Sequence, residues 1–303
     1  MIGSNEMLKG KGSSFGTFGE LLQGVDTEGR DFLVTFPICR YSHAFFTPDS
    51  HQKGVMVEPD FKEKSRLLAE WILDHYSFPV GGKLKIESEL PVGKGMSSSS
   101  ADLVATARAV ESCMGIEVPL DLLQRLMRRI EPSDGVMYPG VVSYYHRNVS
   151  LCEFLGWLPG LTVVGLDEGG EVDTIQFNQI PKMFSKSEKM LYSQLLKSVT
   201  EALKRRDLIT VGQVATQSAL MNQKLKPKKN LQELISLCDT VDGLGVIVAH
   251  SGTCLGVLLD QSRPDYDEQL SELMERTQKL LLAPELFYSL NVSPSPMGKL
   301  AVY

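Results

Sequence analysis

Apolar and polar residues alternate along 83–89 (KLKIESE), as a half-buried strand requires, while β-branched and aromatic residues crowd 32–36 (FLVTF) and 41–47 (YSHAFFT). These three runs predict strands of one sheet. Between them, FKEKSRLLAEWILDHYS changes to a helical spacing that puts Leu67, Leu68, Trp71, Ile72 and Tyr76 on one stripe, which predicts a helix covering the sheet. Leu103, Val104, Ala107, Val110 and Met114 form the buried face of a second helix, with Gly115 suited to the position just past its end. A third helix begins at Pro119, buries Leu122, Leu123, Leu126 and Ile130, and stops at the turn sequence EPSDG.

The pattern breaks at WLPG (157–160), after which LTVVGLDEGGEVDT supplies a strand and an acidic, glycine-containing loop. This break places a domain boundary, giving expected units of 1–158 and 159–303. Downstream, helical patterns at about 187–204, 209–223 and 231–241 precede LGVIVAHSGTCLGVLLD, two apolar strands flanking a loop of small residues. The one basic run, KLKPKKN at 224–230, is expected to be a solvated loop between helices, since a single short run does not make a binding face.

With 303 residues, 43% of them hydrophobic, the chain is long enough to build two ordinary cores. Its 31 basic and 37 acidic residues leave a net charge of −6, so no global basic field draws it to nucleic acid or anionic lipid, and small-molecule chemistry is expected instead. Cys39, Cys113, Cys152, Cys238 and Cys254 are scattered and lack a C-x-x-C pair, which argues against a disulfide framework or zinc site and for reduced thiols in the cytoplasm. No signal peptide is evident at the N-terminus, and no window approaches the ~20 apolar residues of a membrane span. The oligomeric state is left open, a homodimer included.

The junction PVGKGMSSSSAD at 91–102 sets two glycines and four serines immediately before the second helix. A helix N-terminus exposes unpaired N–H groups and the positive end of the macrodipole, which together attract an anion. Gly93 and Gly95 let the backbone approach that anion closely, and the hydroxyls of Ser97, Ser98, Ser99 and Ser100 add hydrogen bonds or a Mg²⁺ contact. The alternative is a serine cap after a flexible linker. No G-K-[ST] closes the loop and no G-x-G-x-x-G is present, so it is neither a Walker A loop nor a dinucleotide fingerprint.

This junction resembles the P-x-x-x-G-L-G-S-S-A phosphate loop of the GHMP kinases, and more closely the G-K-G-M-A-S-S-T-A-D run of their L-threonine kinase subgroup. GTFGELLQG at 16–24 is similar to that subgroup's G-E-L-x-Q-G signature, IEPSD at 130–134 resembles its I-E-P-T-D, and VAHSGTCLG at 248–256 resembles the third, glycine-containing motif of the superfamily. The resemblance implies a two-domain α+β fold, with an N-terminal mixed sheet domain, a ferredoxin-like C-terminal domain and the active site between them. It also implies a kinase that uses ATP and Mg²⁺ to phosphorylate a small alcohol, best matched by L-threonine or a related hydroxy amino acid. A kinase of the same fold for another alcohol, such as homoserine or a sugar, is the first alternative. A ligand sensor that has lost catalysis is the second, and the joint presence of Ser99, Glu131 and Asp134 weighs against it.

By their motif positions, Pro91, Gly93, Lys94, Gly95, Met96, Ser97, Ser98, Ser99 and Ser100 would hold ATP, and Ser99 with Glu131 would hold Mg²⁺. Asp134 would face the acceptor hydroxyl as general base or orienting group. Gly16, Thr17 and Glu20 would bind substrate, while Ser251, Gly252 and Thr253 would close the site from the second domain. Taken alone, EPSD could be a simple turn, Glu20 a surface carboxylate and Lys94 a loop charge. His250 is expected to be a packed histidine and Asp102 a structural charge at the helix N-terminus. Arg40 and Arg147 are candidate partners for an acceptor carboxylate.

Three departures from the family pattern bear on specificity. Phe15-Gly16-Thr17 stands where many GHMP kinases carry P-G-K, so no lysine is available there for phosphates; the resemblance to the L-threonine kinase subgroup is unaffected, because that subgroup lacks the lysine too. Ser97 replaces alanine or glycine, a sterically tolerable change. Phe18 replaces a cysteine and is expected to reshape the acceptor pocket, which GVMYPGVVSYYHRN at 135–148 is expected to line as well.

Overall fold

The computed structural model describes residues 9–79, 81–170, 184–280 and 283–291; the 171–174 portion of the expected acidic loop lies outside them. Two long antiparallel strands, β1 (Gly10–Val25) and β2 (Asp31–Asp49), form its spine. FLVTF and YSHAFFT are thus parts of one strand, not two. The register shift between Phe15 and Gly16 lets β2 continue past its polar interruption at Cys39 and Arg40, which the alternation pattern alone read as a break. The G-T-F-G-E signature also lies within a strand, disguised by Gly16 and Gly19 at two of the three register shifts in β1.

β3 (Val55–Glu58) and β4 (Gly81–Ser88) extend one side, and a hairpin of β5 (Val141–Tyr145) and β6 (Ser150–Gly156) branches from β2. β7 (Leu161–Asp167), β8 (Gly245–Val248), β9 (Cys254–Asp260) and β10 (Glu285–Tyr288) complete the sheet in the order β10-β7-β9-β8-β1-β2-β4-β3. The link at 157–160 therefore joins strands of one continuous sheet, whose β1–β8 pairing runs through Glu20 and Val248.

Helix α2 (Ser98–Met114) lies directly on β1. Gly10 and Gly12 permit this, because a Cβ on either would come within 2.2 Å of the Ala109 or Ala105 carbonyl. α1 (Glu63–His75) accordingly packs against α2 and β3 instead of covering the sheet broadly, burying Leu68, Ala69, Ile72 and Leu73. α3 (Leu120–Ile130) closes this layer with Leu122, Leu123, Leu126 and Met127. Gly115 ends α2 in the left-handed conformation, as its position required.

The other half carries α4 (Lys186–Arg205), α5 (Leu208–Asn222), α6 (Leu231–Thr240) and α7 (Tyr266–Lys279). α5 reaches β8 through Gly212, where a Cβ would stand 1.9 Å from the Leu244 carbonyl. The architecture is α+β throughout. All five cysteines are free, and no helix among the described residues is long and apolar enough to cross a membrane.

Candidate active site

The serine run turns into α2 through a strained, over-determined corner. Gly93 and Gly95 have φ of 73° and 83°, and Ser97, the residue before the helix, has φ 56°, where a non-glycine residue needs external support. That support comes from β1: Thr17 Oγ1 lies 2.6 Å from Ser97 Oγ, the Thr17 amide donates to the Met96 carbonyl, and the Gly19 amide donates to the Gly95 carbonyl. Gly16 fits under the loop because a Cβ there would stand 2.7 Å from the Met96 carbonyl oxygen. Gly16 and Thr17 therefore seat the phosphate loop and do not themselves line the cleft beside it.

The cleft is lined by Pro91, Val92, Gly93, Gly95, Met96 and all four serines, together with Glu131, Pro132, Asp134, Glu20 and Ser251. Lys94 faces elsewhere: its ammonium pairs with Asp167 at 2.6 Å and donates to the Gly170 carbonyl. Gly252 and Thr253 lie behind the phosphate loop. The Thr253 amide donates to the Lys94 carbonyl at 3.2 Å, and a Cβ on Gly252 would stand 1.9 Å from that same oxygen. The third motif is thus a backbone buttress for the phosphate loop, with Ser251 alone of the three residues reaching the cleft.

Glu131 ends α3 in extended conformation, and Ser133 and Asp134 beyond it are pinned from outside the turn. The Ser133 amide donates to the His146 carbonyl, and the Asp134 amide donates to Ser100 Oγ at 3.0 Å. Asp134 makes no local turn bond with its carboxylate; Ser97 Oγ donates to Oδ2 at 2.6 Å. Burial pushes the Asp134 carboxyl above its ordinary pKa, with the Ser97 bond opposing and the Glu131 charge adding to the rise. A carboxyl so raised is moved toward the range useful to a general base at neutral pH.

Ser99 donates to Glu131 Oε1, and Lys64 Nζ lies 2.5 Å from Oε2. A hydroxyl and one carboxylate converge here, and among the described residues no group of three His, Cys, Asp or Glu is arranged as a metal cluster. Such a sparse oxygen pair suits Mg²⁺, which takes one or two protein carboxylates and completes its shell with phosphate oxygens and water. It does not suit zinc, which takes four close nitrogen or sulfur ligands in structural sites.

Several residues behave differently from the sequence expectation. Phe18 does not shape the cleft; it is fully buried and packs on Phe287 at 4.6 Å between ring centroids. Within 135–148 the tyrosines also turn away from the cleft: Tyr138 and Tyr144 meet Gln124, and Tyr145 meets Asp26. His146 is the residue of that stretch that lines the cleft. Arg40 pairs with Glu285 and covers Phe287, while Arg147 pairs with Asp31, so neither reaches the cleft. Asp102 is structural, as expected, held by Ser42 and by Lys62 at 2.5 Å.

Three contributors escaped the sequence. Lys64 sits on the polar side of α1, where periodicity carries no information about a cleft formed by other elements. His250 lines the cleft and is a packed histidine too, its Nδ1 2.8 Å from Gln23 Oε1 and its ring edge-on to His146. Lys228, part of the run expected to be solvated, is buried and donates to the Gly252 carbonyl, bracing the buttress; burial lowers its pKa to about 8.

The N-terminus of α2, the Ser99–Glu131 pair and Asp134 thus meet in one cleft, an arrangement that can take up phosphate, Mg²⁺ and an acceptor hydroxyl. Residues 64–140 match the family model described as GHMP kinases N terminal domain. Two relatives named L-threonine kinase are each 30% identical: that of Citrobacter freundii over 82% of this chain and 86% of its own, and that of Salmonella typhimurium over 85% of each. The chain belongs to the GHMP kinases, enzymes that use ATP. A solved homoserine kinase from Cytophaga hutchinsonii shares the fold at TM-score 0.73 and 13% identity, with 95% of this chain and 96% of that one aligned.

Proposed function

We propose that this kinase transfers the γ-phosphoryl group of ATP to the side-chain hydroxyl of L-threonine or a closely related hydroxy amino acid, with Mg²⁺ held between Ser99 and Glu131. The observation that carries this is Asp134, whose half-buried carboxylate is fixed by Ser97 in the same cleft as the N-terminus of α2. The acceptor hydroxyl oxygen attacks the γ-phosphorus, its proton passes to Asp134, and the bond to the bridging oxygen breaks to release ADP. Mg²⁺ would neutralise charge on the phosphate oxygens. The amides at the start of α2 and the hydroxyls of Ser97, Ser98 and Ser100 orient the phosphates from the protein side.

The amino-acid assignment draws on the two L-threonine kinase relatives and on the polar wall of the cleft. Glu20, His146 and His250 are all buried there, offering a negative charge for an ammonium and ring nitrogens for a carboxylate. Arg40 and Arg147 take no part. The test is ADP release with Mg·ATP across L-threonine, L-serine, L-homoserine and simple alcohols and sugars, with the product identified by phosphorus NMR. Turnover confined to hydroxy amino acids is expected. Preference for a sugar or an alcohol lacking the ammonium and carboxylate would overturn the acceptor assignment.

A further inference from the structure

The sequence leaves a gap in charge neutralisation, because the N-terminal signature has Thr17 where many relatives place a phosphate-binding lysine. Lys94 does not fill it, being committed to Asp167 and Gly170. Lys228 does not fill it either, since its ammonium is spent on the Gly252 carbonyl behind the loop. Of the described residues that line the cleft, Lys64 is the one lysine or arginine, set against the carboxylates of Glu20, Glu131 and Asp134. A triphosphate entering that acidic cleft needs a cation besides the metal.

We propose that Lys64, supplied by α1, is the phosphate-binding lysine of this enzyme, passing from Glu131 to the terminal phosphate oxygens when Mg·ATP binds. This rests on the kinase assignment above. Lys64 and Ser99 occupy the two oxygens of one carboxylate, so the ammonium stands beside the pair assigned to the metal. A metal held by Glu131 would weaken its hold on Lys64, and the γ-phosphoryl group would offer the ammonium a new anionic partner. The side chain is 41% exposed, which leaves its flexible stem room to swing. Because the acidic partner sits at the metal position, Lys64 also neutralises Glu131 before nucleotide arrives.

Calorimetric titration of wild type, K64M and K64R with Mg·ADP and with a non-hydrolysable Mg·ATP analogue tests this without any acceptor. In K64M, affinity for the ATP analogue is expected to fall about tenfold or more, the size of one lost charged hydrogen bond, while ADP affinity falls much less and K64R retains most of the difference. Equal losses for both nucleotides, or none, would overturn the role of Lys64. Failure of the wild type to bind either nucleotide would instead bring down the kinase assignment beneath it. Should K64M not fold, amine acetylation of the wild-type protein decides: the ATP analogue shields Lys64 several-fold more than ADP does, and equal labelling would contradict the proposal.

Discussion

Asp134 combines two demands that conflict. Its burial raises its pKa above the ordinary 3.8, so the folded protein holds this proton more tightly than the unfolded chain does. The stability contributed by that proton is fully present below the unfolded pKa and is lost as pH rises through the folded one. Wherever Asp134 is ionised its charge is therefore a cost, which the Ser97 hydrogen bond opposes. D134N keeps an oxygen that can accept from Ser97 and removes the charge, so it should melt at a higher temperature than wild type at neutral pH. That advantage should shrink as pH falls toward the ordinary aspartate value, as followed by thermal unfolding across pH. A mutant less stable than wild type at neutral pH would mean that Asp134 is held by favourable charge interactions the cleft does not display. At this scale the motif positions singled out Ser99, Glu131 and Asp134, and the structure brings the three into one cleft. The sequence was opaque for Lys64 and Lys228, whose surroundings are supplied by elements distant in the chain.

The loop that leads into α2 is clamped between β1 and the third-motif loop. Thr17 and Gly19 hold one side, and Thr253 and Gly252 press on the Lys94–Gly95 backbone from the other. Replacing Gly252 by alanine would put a Cβ 1.9 Å from the Lys94 oxygen and 2.3 Å from the Gly95 nitrogen, both backbone atoms that cannot step aside cheaply. G252A should therefore displace the loop and lower kcat/KM for ATP by about a hundredfold, the scale of an ångström-level misplacement. Near-wild-type steady-state kinetics in a folded G252A would show that the buttress does not position the loop. α3 was readable from periodicity because it buries one stripe, whereas α2, packed on β1, β2 and α1, is buried on nearly every side and its apolar spacing showed only part of that burial. β1 was not readable, since its glycines are set by the close approach of α2 and the phosphate loop and dilute the apolar alternation.

Across the whole molecule, one sheet carries both walls of the cleft. β1 presents Glu20 and seats the phosphate loop, β8 pairs with it at that same residue, and the loop after β8 supplies His250 and Ser251. A break at 157–160 was visible in the sequence, but the pairing of β1 with β8 was not, because strand partners so far apart leave no local signature. In the function proposed here, catalysis is a joint property of positioning and one carboxylate. The decisive measurement is steady-state ADP release by wild type and D134N, at saturating Mg·ATP and with whichever acceptor the wild type turns over best. The account predicts a fall in kcat of about a hundredfold or more, the contribution expected of acid–base assistance, with the KM for ATP nearly unchanged. A mutant that retains most of wild-type kcat would contradict the assignment of Asp134 as the group that receives the acceptor proton.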